Sequence, residues 1–322
     1  MKAIAVEDFG GPEVLVEVER EIGEPGSGEL LIRHGAIGVN FIDVYHRTGL
    51  YPNPLPLIPG SEGAGEVIAV GPGVAGFKAG DRVAYQGAMG AYAEERILPA
   101  SRAVQIPDSM DYETAAGMML KGLTAYYLLF LTWPVASGQT ILFHAAAGGM
   151  GLIACQWARS LGARVIGTAG SPEKVDLALA NGCHEVINYS ETDFAPVVRE
   201  LTGGKGVDVV YDGVGRATFE GSLDCLRPMG MMVSYGNATG PVSIPDLGVL
   251  SRKGSLFLTR PTGAHYFAER PALLAGSRAL FAAIESGAIK PHIGQRFALS
   301  EAAEAHRALE GRQTTGSTIL IP

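Results

Sequence analysis

Cysteine is scarce in this 322-residue chain: Cys155, Cys183 and Cys225 give no CxxC spacing and no even count. A disulfide framework and a cysteine-rich metal site are both excluded. The three read as core thiols of a reducing, cytoplasmic compartment. Charge is sparse as well, at 18% of residues with a net of −8. With no basic run and no basic–aromatic interleaving, nucleic acid is not an expected partner. Long apolar runs are missing too. The greasiest stretch, residues 125–131, falls far short of the ~20 residues that cross a bilayer. Residues 1–10 contain Glu7 and Asp8 where a signal peptide has a basic start. A soluble protein with no membrane partner is expected. No Gly-x-Ser-x-Gly elbow occurs, which argues against a hydrolase.

Glycine is abundant instead, at 44 of 322 residues, about twice its usual share. Up to about residue 120 the signals are short and β-like: Leu30-Leu31-Ile32, Glu66-Val67-Ile68-Ala69-Val70 and Arg82-Val83-Ala84-Tyr85, punctuated by Pro25-Gly26 and Gly71-Pro72-Gly73. They suit an all-β barrel or sandwich. From Thr140 the period changes, and six β-rich runs, beginning at Thr140, Arg164, His184, Val207, Met231 and Gly254, alternate with helical ones. An α/β fold with a doubly wound parallel sheet follows. After Pro261 come two helical stretches, 271–286 and 300–309, and a last β run from Thr318. That tail is too small to be a domain and is expected to return to the first one, leaving a ligand cleft between two lobes.

The run Ile141-Leu142-Phe143 leads into Ala145-Ala146-Ala147-Gly148-Gly149-Met150-Gly151 and then a helix with Ile153 and Trp157 on one face. A strand, glycine turn and helix N-terminus aim free N–H groups at one spot, where a pyrophosphate would bind. The G-x-G-x-x-G frame is imperfect, with Ala146 at its first glycine. At the end of the next strand, where an acid would hold a free ribose hydroxyl, stand Gly170-Ser171-Pro172-Glu173-Lys174. Ser171 and Lys174 fit a 2′-phosphate and thus NADPH; a solvated lysine offset by Glu173 accounts for them equally. Tyr189 faces either an adenine or ordinary packing.

Five segments, Gly38-Val39-Asn40-Phe41-Ile42-Asp43, Gly60-Ser61-Glu62-Gly63-Ala64-Gly65, Lys121-Gly122-Leu123-Thr124-Ala125-Tyr126-Tyr127, the turn 145–151 and Tyr235-Gly236-Asn237, resemble the zinc-free NADPH:quinone oxidoreductases, the zeta-crystallin branch of the medium-chain dehydrogenase/reductases. The resemblance covers essentially the whole chain. It implies a chaperonin-10-like (GroES-like) β domain at 1–122 that binds substrate, a Rossmann NADPH-binding domain at 123–262, a C-terminal segment 263–322 completing the first domain, and a homodimer. Zinc-dependent relatives carry Cys where this chain has Asn40 and His where it has Ser61, and they need four close cysteines that this chain lacks. The resemblance therefore implies no zinc, and one nucleotide fold used by NADPH implies no flavin. Carried over residue by residue, it places Asn40 and Thr124 at the nicotinamide, Gly148, Gly149, Met150 and Gly151 at the pyrophosphate, Asn237 after the fifth strand, and Ser171, Lys174, Tyr189 and Arg312 at the 2′-phosphate.

Substrate-facing candidates are Asn40, Asp43, Tyr45 and Tyr51, in a loop before Pro52-Asn53-Pro54. Either tyrosine could stack on a flat ring or donate a proton. Equally, Asp43 only caps the loop and Arg47 pairs with it. The activity implied is quinone reduction with NADPH. Enone reduction asks for the same parts, and a structural or RNA-binding crystallin-type role is the non-enzymatic alternative.

Overall fold

Strands of the N-terminal region pair antiparallel around Glu29–Val39, whose neighbours are Glu62–Val70, Glu95–Pro99 and Ser317–Ile321. The computed structural model describes all residues, 1–322. Contacts divide them into one unit of Met1–Leu123, Phe267–Phe281 and Pro291–Pro322 and another of Thr124–Tyr266 and Ala282–Lys290. In the first, a seven-stranded sheet runs Ile293–Ala298, Ser317–Ile321, Glu29–Val39, Glu62–Val70, Arg82–Gln86, Val104–Gln105, with Glu95–Pro99 added on the central strand. Leu30, Ile32, Val67, Val83, Tyr85, Leu98 and Leu320 fill its core. The tail thus returns to the first unit, where Thr318 lies opposite Val39. Its strand Ile293–Ala298, parallel to the last one, has no counterpart in the sequence reading.

The second unit holds six parallel strands in the order Glu185–Asn188, Arg164–Ala169, Thr140–Phe143, Val207–Asp212, Leu226–Ser234, Phe257–Thr259. Sequence order reverses between Thr140–Phe143 and Val207–Asp212, and a crevice for a ligand opens beyond the carboxyl ends of strands at such a switch point.

Local chemistry accounts for the departures from expectation. The sequence Val14-Leu15-Val16 reads as β-like, but Val14 closes a short 3-10 turn, Pro12–Val14, entered through Pro12, and the strand begins only at Val16. The sixth strand starts at Phe257 because Gly254 and Ser255 both have positive φ, 113° and 55°. Helix Tyr112–Tyr126 continues as a π-helix, Tyr127–Thr132. The combined 21 residues are long and apolar enough to cross a membrane, which the run 125–131 alone is not, but 67% of that window is buried inside the protein.

Gly65 lies opposite His34, in a strand pair whose register shifts between His34 and Ala36. A methyl group there would run into the carbonyl oxygen of Arg33. Gly65→Ala is expected to cost about 1–3 kcal/mol, because backbone cannot yield as a side chain can. Gly23→Ala, with nothing within 4 Å of the new methyl, should be near neutral. Denaturant melts of the two variants check this.

Candidate functional site

In the second unit, Thr140–Phe143 ends in a turn that enters helix Gly149–Ser160 with Gly148 as N-cap. The N–H groups of Gly149, Met150 and Gly151 form the first helical turn, where no intrahelical acceptor exists. A Cβ on Gly151 would lie 2.5 Å from the carbonyl oxygens of both Ala145 and Ala146, so helix and strand approach closely only with glycine here. The left-handed conformation falls on Ala145, φ 53°. Ala146 has ordinary φ and is fully buried, its methyl set against Gly167 of the next strand. Alanine at the first glycine position of the frame is thereby tolerated.

Ser171 caps helix Pro172–Ala180, its hydroxyl accepting the Lys174 backbone N–H at 3.4 Å. That same hydroxyl, bonded to Glu173, lowers the Glu173 carboxyl pKa. Tyr189, 40% exposed, donates its backbone N–H to Ala169 at 3.0 Å, and its hydroxyl lies 2.5 Å from where a Cβ on Gly170 would be. Ser171, Lys174 and Tyr189 are therefore gathered at the ends of two neighbouring strands. Asn237 follows Leu226–Ser234 in the turn against Gly215. Thr124 bonds the Tyr127 hydroxyl, whose pKa is raised mainly by burial. Arg312 belongs to the first unit, in a turn with φ 56° after helix Ala302–Glu310.

Beneath the switch point lies a buried cluster that sequence reasoning missed. Asp212, at the end of its strand, accepts the N–H groups of Val214 and Gly215 at 2.8 and 3.0 Å and the hydroxyls of Thr218 and Ser222 at 2.7 and 3.0 Å. Ser222 thus accepts from His144 Nε2, 2.9 Å away, and His144 Nδ1 accepts from Thr168, 3.0 Å away. Burial lowers the His144 pKa. The residue types are those of a hydrolytic triad, but the serine is fully buried and its hydrogen points at the carboxylate. It ties three strand ends together.

In the first unit, the segment read as a loop is a helix, Phe41–Arg47. Asp43 is fully buried and accepts the Asn40 backbone N–H at 2.9 Å and the Ser61 hydroxyl at 2.9 Å. It does cap, as one reading held, and burial pushes its pKa up to about 7. Arg47 does not pair with it. The guanidinium, 1% exposed, forks onto Glu310 at 2.8 and 2.9 Å and reaches His306 Nδ1 at 3.1 Å, a far stronger geometry than a single exposed pair. Tyr92 links His306 Nε2, 2.9 Å, to Asp43, 3.2 Å. Asn40 donates its side-chain N–H to Glu62 at 2.8 Å, and Lys121 does the same at 2.8 Å. Both side chains at the zinc-ligand positions of zinc-dependent relatives are therefore engaged with carboxylates. Tyr45 and Tyr51 meet edge to face at 5.1 Å, beside His46, which contacts Asn53 at 2.7 Å.

Comparisons with known proteins follow the same division. Residues 26–108 match the alcohol dehydrogenase GroES-like domain and residues 149–270 the zinc-binding dehydrogenase family. The whole chain is 54% identical to the quinone oxidoreductase of Pseudomonas aeruginosa, covering 99% of it. Over 99% of this chain and 98% of the relative it is 48% identical to a 2-haloacrylate reductase of a Burkholderia species. The solved structure of Escherichia coli quinone oxidoreductase complexed with NADPH superposes with a TM-score of 0.98 at 49% identity, over all of both chains. This chain belongs to the quinone oxidoreductase family.

The glycine turn and Asn40 were readable from their motifs. Tyr92, His306 and Glu310, and the pairing of Arg47 with them, were not, because these contacts span up to 263 residues of sequence; only the burial of Tyr92, His306 and Arg47 reveals them. That burial has a pH signature. His34 and His306 are held neutral, with pKa values lowered to about 4 and about 3, chiefly by burial. The unfolded chain therefore binds more protons below the ordinary histidine pKa of ~6.5, and stability falls as pH drops from 6.5 toward 3. Asp43 acts oppositely, adding stability as pH falls from about 7 toward 4. His306→Gln should flatten the histidine part: its melting temperature is expected to change less between pH 6.5 and 4.5 than that of the wild type, by calorimetry.

Proposed function

We propose that the protein is an NADPH-dependent quinone oxidoreductase that works without zinc or flavin. The observation that carries this reading is the strand–turn–helix at the switch point, closed by a glycine that admits no side chain, in a chain similar over its full length to quinone oxidoreductases. The first-turn N–H groups of Gly149, Met150 and Gly151 would hold the pyrophosphate, and Ser171, Lys174, Tyr189 and Arg312 the 2′-phosphate. Asn237, Thr124 and Asn40 would attend the nicotinamide end. When bound, the cofactor supplies hydride to an electrophilic ring. Tyr45 and Tyr51 would offer ring faces to a flat substrate, and Asp43 would take part in proton supply.

Residues 1–122 with 263–322 would form the substrate domain and 123–262 the NADPH domain, except that residues 263–266 and Ala282–Lys290 cluster with the latter. The edge strand Phe257–Thr259 has an unpaired side, and Phe257, Met229 and Leu247 are 55%, 61% and 69% exposed. An exposed apolar sheet edge supports a homodimer that pairs these edges. Three buried free thiols support a cytoplasmic location.

A second reading, reduction of a conjugated carbonyl, is favoured by the similarity to 2-haloacrylate reductase. Against a carboxylate-bearing substrate stands Arg47. It is the only Arg or Lys among residues 34–77, and it is buried on Glu310. Purified protein supplied with NADPH should reduce simple quinones faster than 2-chloroacrylate, with no flavin absorbance and no stoichiometric zinc by elemental analysis. A yellow protein, one zinc per chain whose removal abolishes activity, or no NADPH oxidation with any quinone would overturn the reading.

Cofactor choice yields a separate expectation. A charge-assisted hydrogen bond to phosphate contributes about 1.5–3 kcal/mol. Lys174→Ala should therefore weaken NADPH binding roughly 10- to 150-fold and leave NADH nearly unchanged. Titration with both cofactors decides it, since equal weakening of the two would place Lys174 outside the 2′-phosphate site.

A further inference from the structure

We propose that Asp43 and Ser61 form a two-step proton relay serving the reduction, and that Tyr92, His306 and Arg47 are positioning residues that leave one oxygen of Asp43 able to carry the proton. The inference rests on the quinone reading above.

The orientation of every hydrogen follows from Arg47. A guanidinium only donates, so His306 Nδ1, 3.1 Å from it, must accept. His306 is then the neutral tautomer with its hydrogen on Nε2, aimed at the Tyr92 oxygen 2.9 Å away. With that side occupied, the Tyr92 hydroxyl hydrogen points to Asp43 Oδ2 at 3.2 Å. Asn40 N–H donates to the same oxygen at 2.9 Å. Oδ2 is thereby taken by two donors, and a proton bound to Asp43 resides on Oδ1. There it meets Ser61 Oγ at 2.9 Å. In the ionised state the serine donates to Oδ1; protonation reverses that single bond and releases the serine hydrogen to another acceptor.

Charge around Asp43 supports a proton bound at neutral pH. Asp43 and Glu62 are both fully buried, and the cation facing them is Lys121, bonded to Glu62 at 2.8 Å. Tyr92 and His306 are neutral, and Arg47 is matched by Glu310. Glu62 is the better satisfied carboxylate, with Asn40, Lys121 and the Leu120 N–H as donors at 2.8, 2.8 and 2.6 Å. Asp43 accordingly takes the proton, its pKa pushed up to about 7 by burial, with Glu62 adding to the rise.

The step balances. Hydride reduces the quinone to a hydroquinone monoanion. The Ser61 O–H bond breaks as its hydrogen bonds to the anionic oxygen, and the Oδ1–H bond of Asp43 breaks as that proton passes to Ser61 Oγ. Neutral hydroquinone leaves, Asp43 is ionised, and water reloads it through Ser61.

Two readouts test this. In resting protein with 13C-labelled aspartate, the Asp43 carboxyl should titrate near pH 7, and Tyr92→Phe, which removes a donor to the ionised form, should raise the midpoint by about one pH unit. A carboxyl still ionised at pH 5, or one unmoved by Tyr92→Phe, overturns the relay. In turnover, Ser61→Ala should slow quinone reduction at least 10-fold with unchanged NADPH affinity, and Ser61→Thr, which keeps the hydroxyl, should restore most of the rate. Wild-type rates in Ser61→Ala would overturn it. A wild type that titrates as expected but reduces no quinone would overturn the quinone reading, and with it the relay as a step in that reaction.

Discussion

Glu62 is the constraint on which the first unit depends. Its carboxylate has no exposed surface and is held by Lys121 Nζ, Leu120 N–H and Asn40 Nδ2. A buried carboxylate of this kind tolerates no missing partner: loss of one leaves an uncompensated charge worth several kcal/mol. The three segments Gly38-Val39-Asn40, Gly60-Ser61-Glu62 and Lys121-Gly122-Leu123 are distant in sequence yet meet on this one group. Gly38 is required for the same reason, since a Cβ there would overlap Glu62 Oε1. The bond from Glu62 fixes the Asn40 amide, and the Asn40 backbone in turn fixes Asp43.

An analogous role falls to Asp212 in the second unit, but with neutral donors. It terminates one strand, accepts two backbone N–H groups of the next turn, and through Ser222 and His144 reaches Thr168 at the end of a second. The carboxyl ends of three parallel strands are set together, and these are the ends from which the glycine turn, the Ser171 cap and the turn through Val214 and Gly215 depart. Buried and fully hydrogen-bonded, such a network specifies one arrangement of the site.

Elements governed by local period were legible in the sequence: the six parallel strands and helix Gly149–Ser160 follow from alternation and turn chemistry, and the return of the tail from its being too small to stand alone. The glycine turn was legible even with Ala146 in place of glycine, because the strand before it and the helix after it carry the pattern. What escaped was set by tertiary context. Helix Phe41–Arg47 looked like a loop because it is short and runs toward Pro52-Asn53-Pro54; its formation rests on the Asp43–Asn40 cap and on buried anchors at its end. Tyr92, His306 and Glu310 have no local signature at all, and a buried arginine such as Arg47 is indistinguishable in sequence from a solvated one.

Asn40 and Ser61 stand where zinc-dependent relatives present a thiolate and an imidazole, and in this structure both side chains are donors to buried carboxylates. Asn40 donates to Glu62 and Ser61 to Asp43, and Lys121 is the cation paired with Glu62. Alcohol oxidation needs a strong electrophile to acidify the hydroxyl. A quinone needs none, because its ring already accepts hydride and its reduced oxygens take protons from a weak acid. A carboxyl balanced near neutrality, with a hydroxyl 2.9 Å from it, matches that lesser demand. Burial first, and the neighbouring Glu62 after it, raise the Asp43 pKa above the usual carboxylate range.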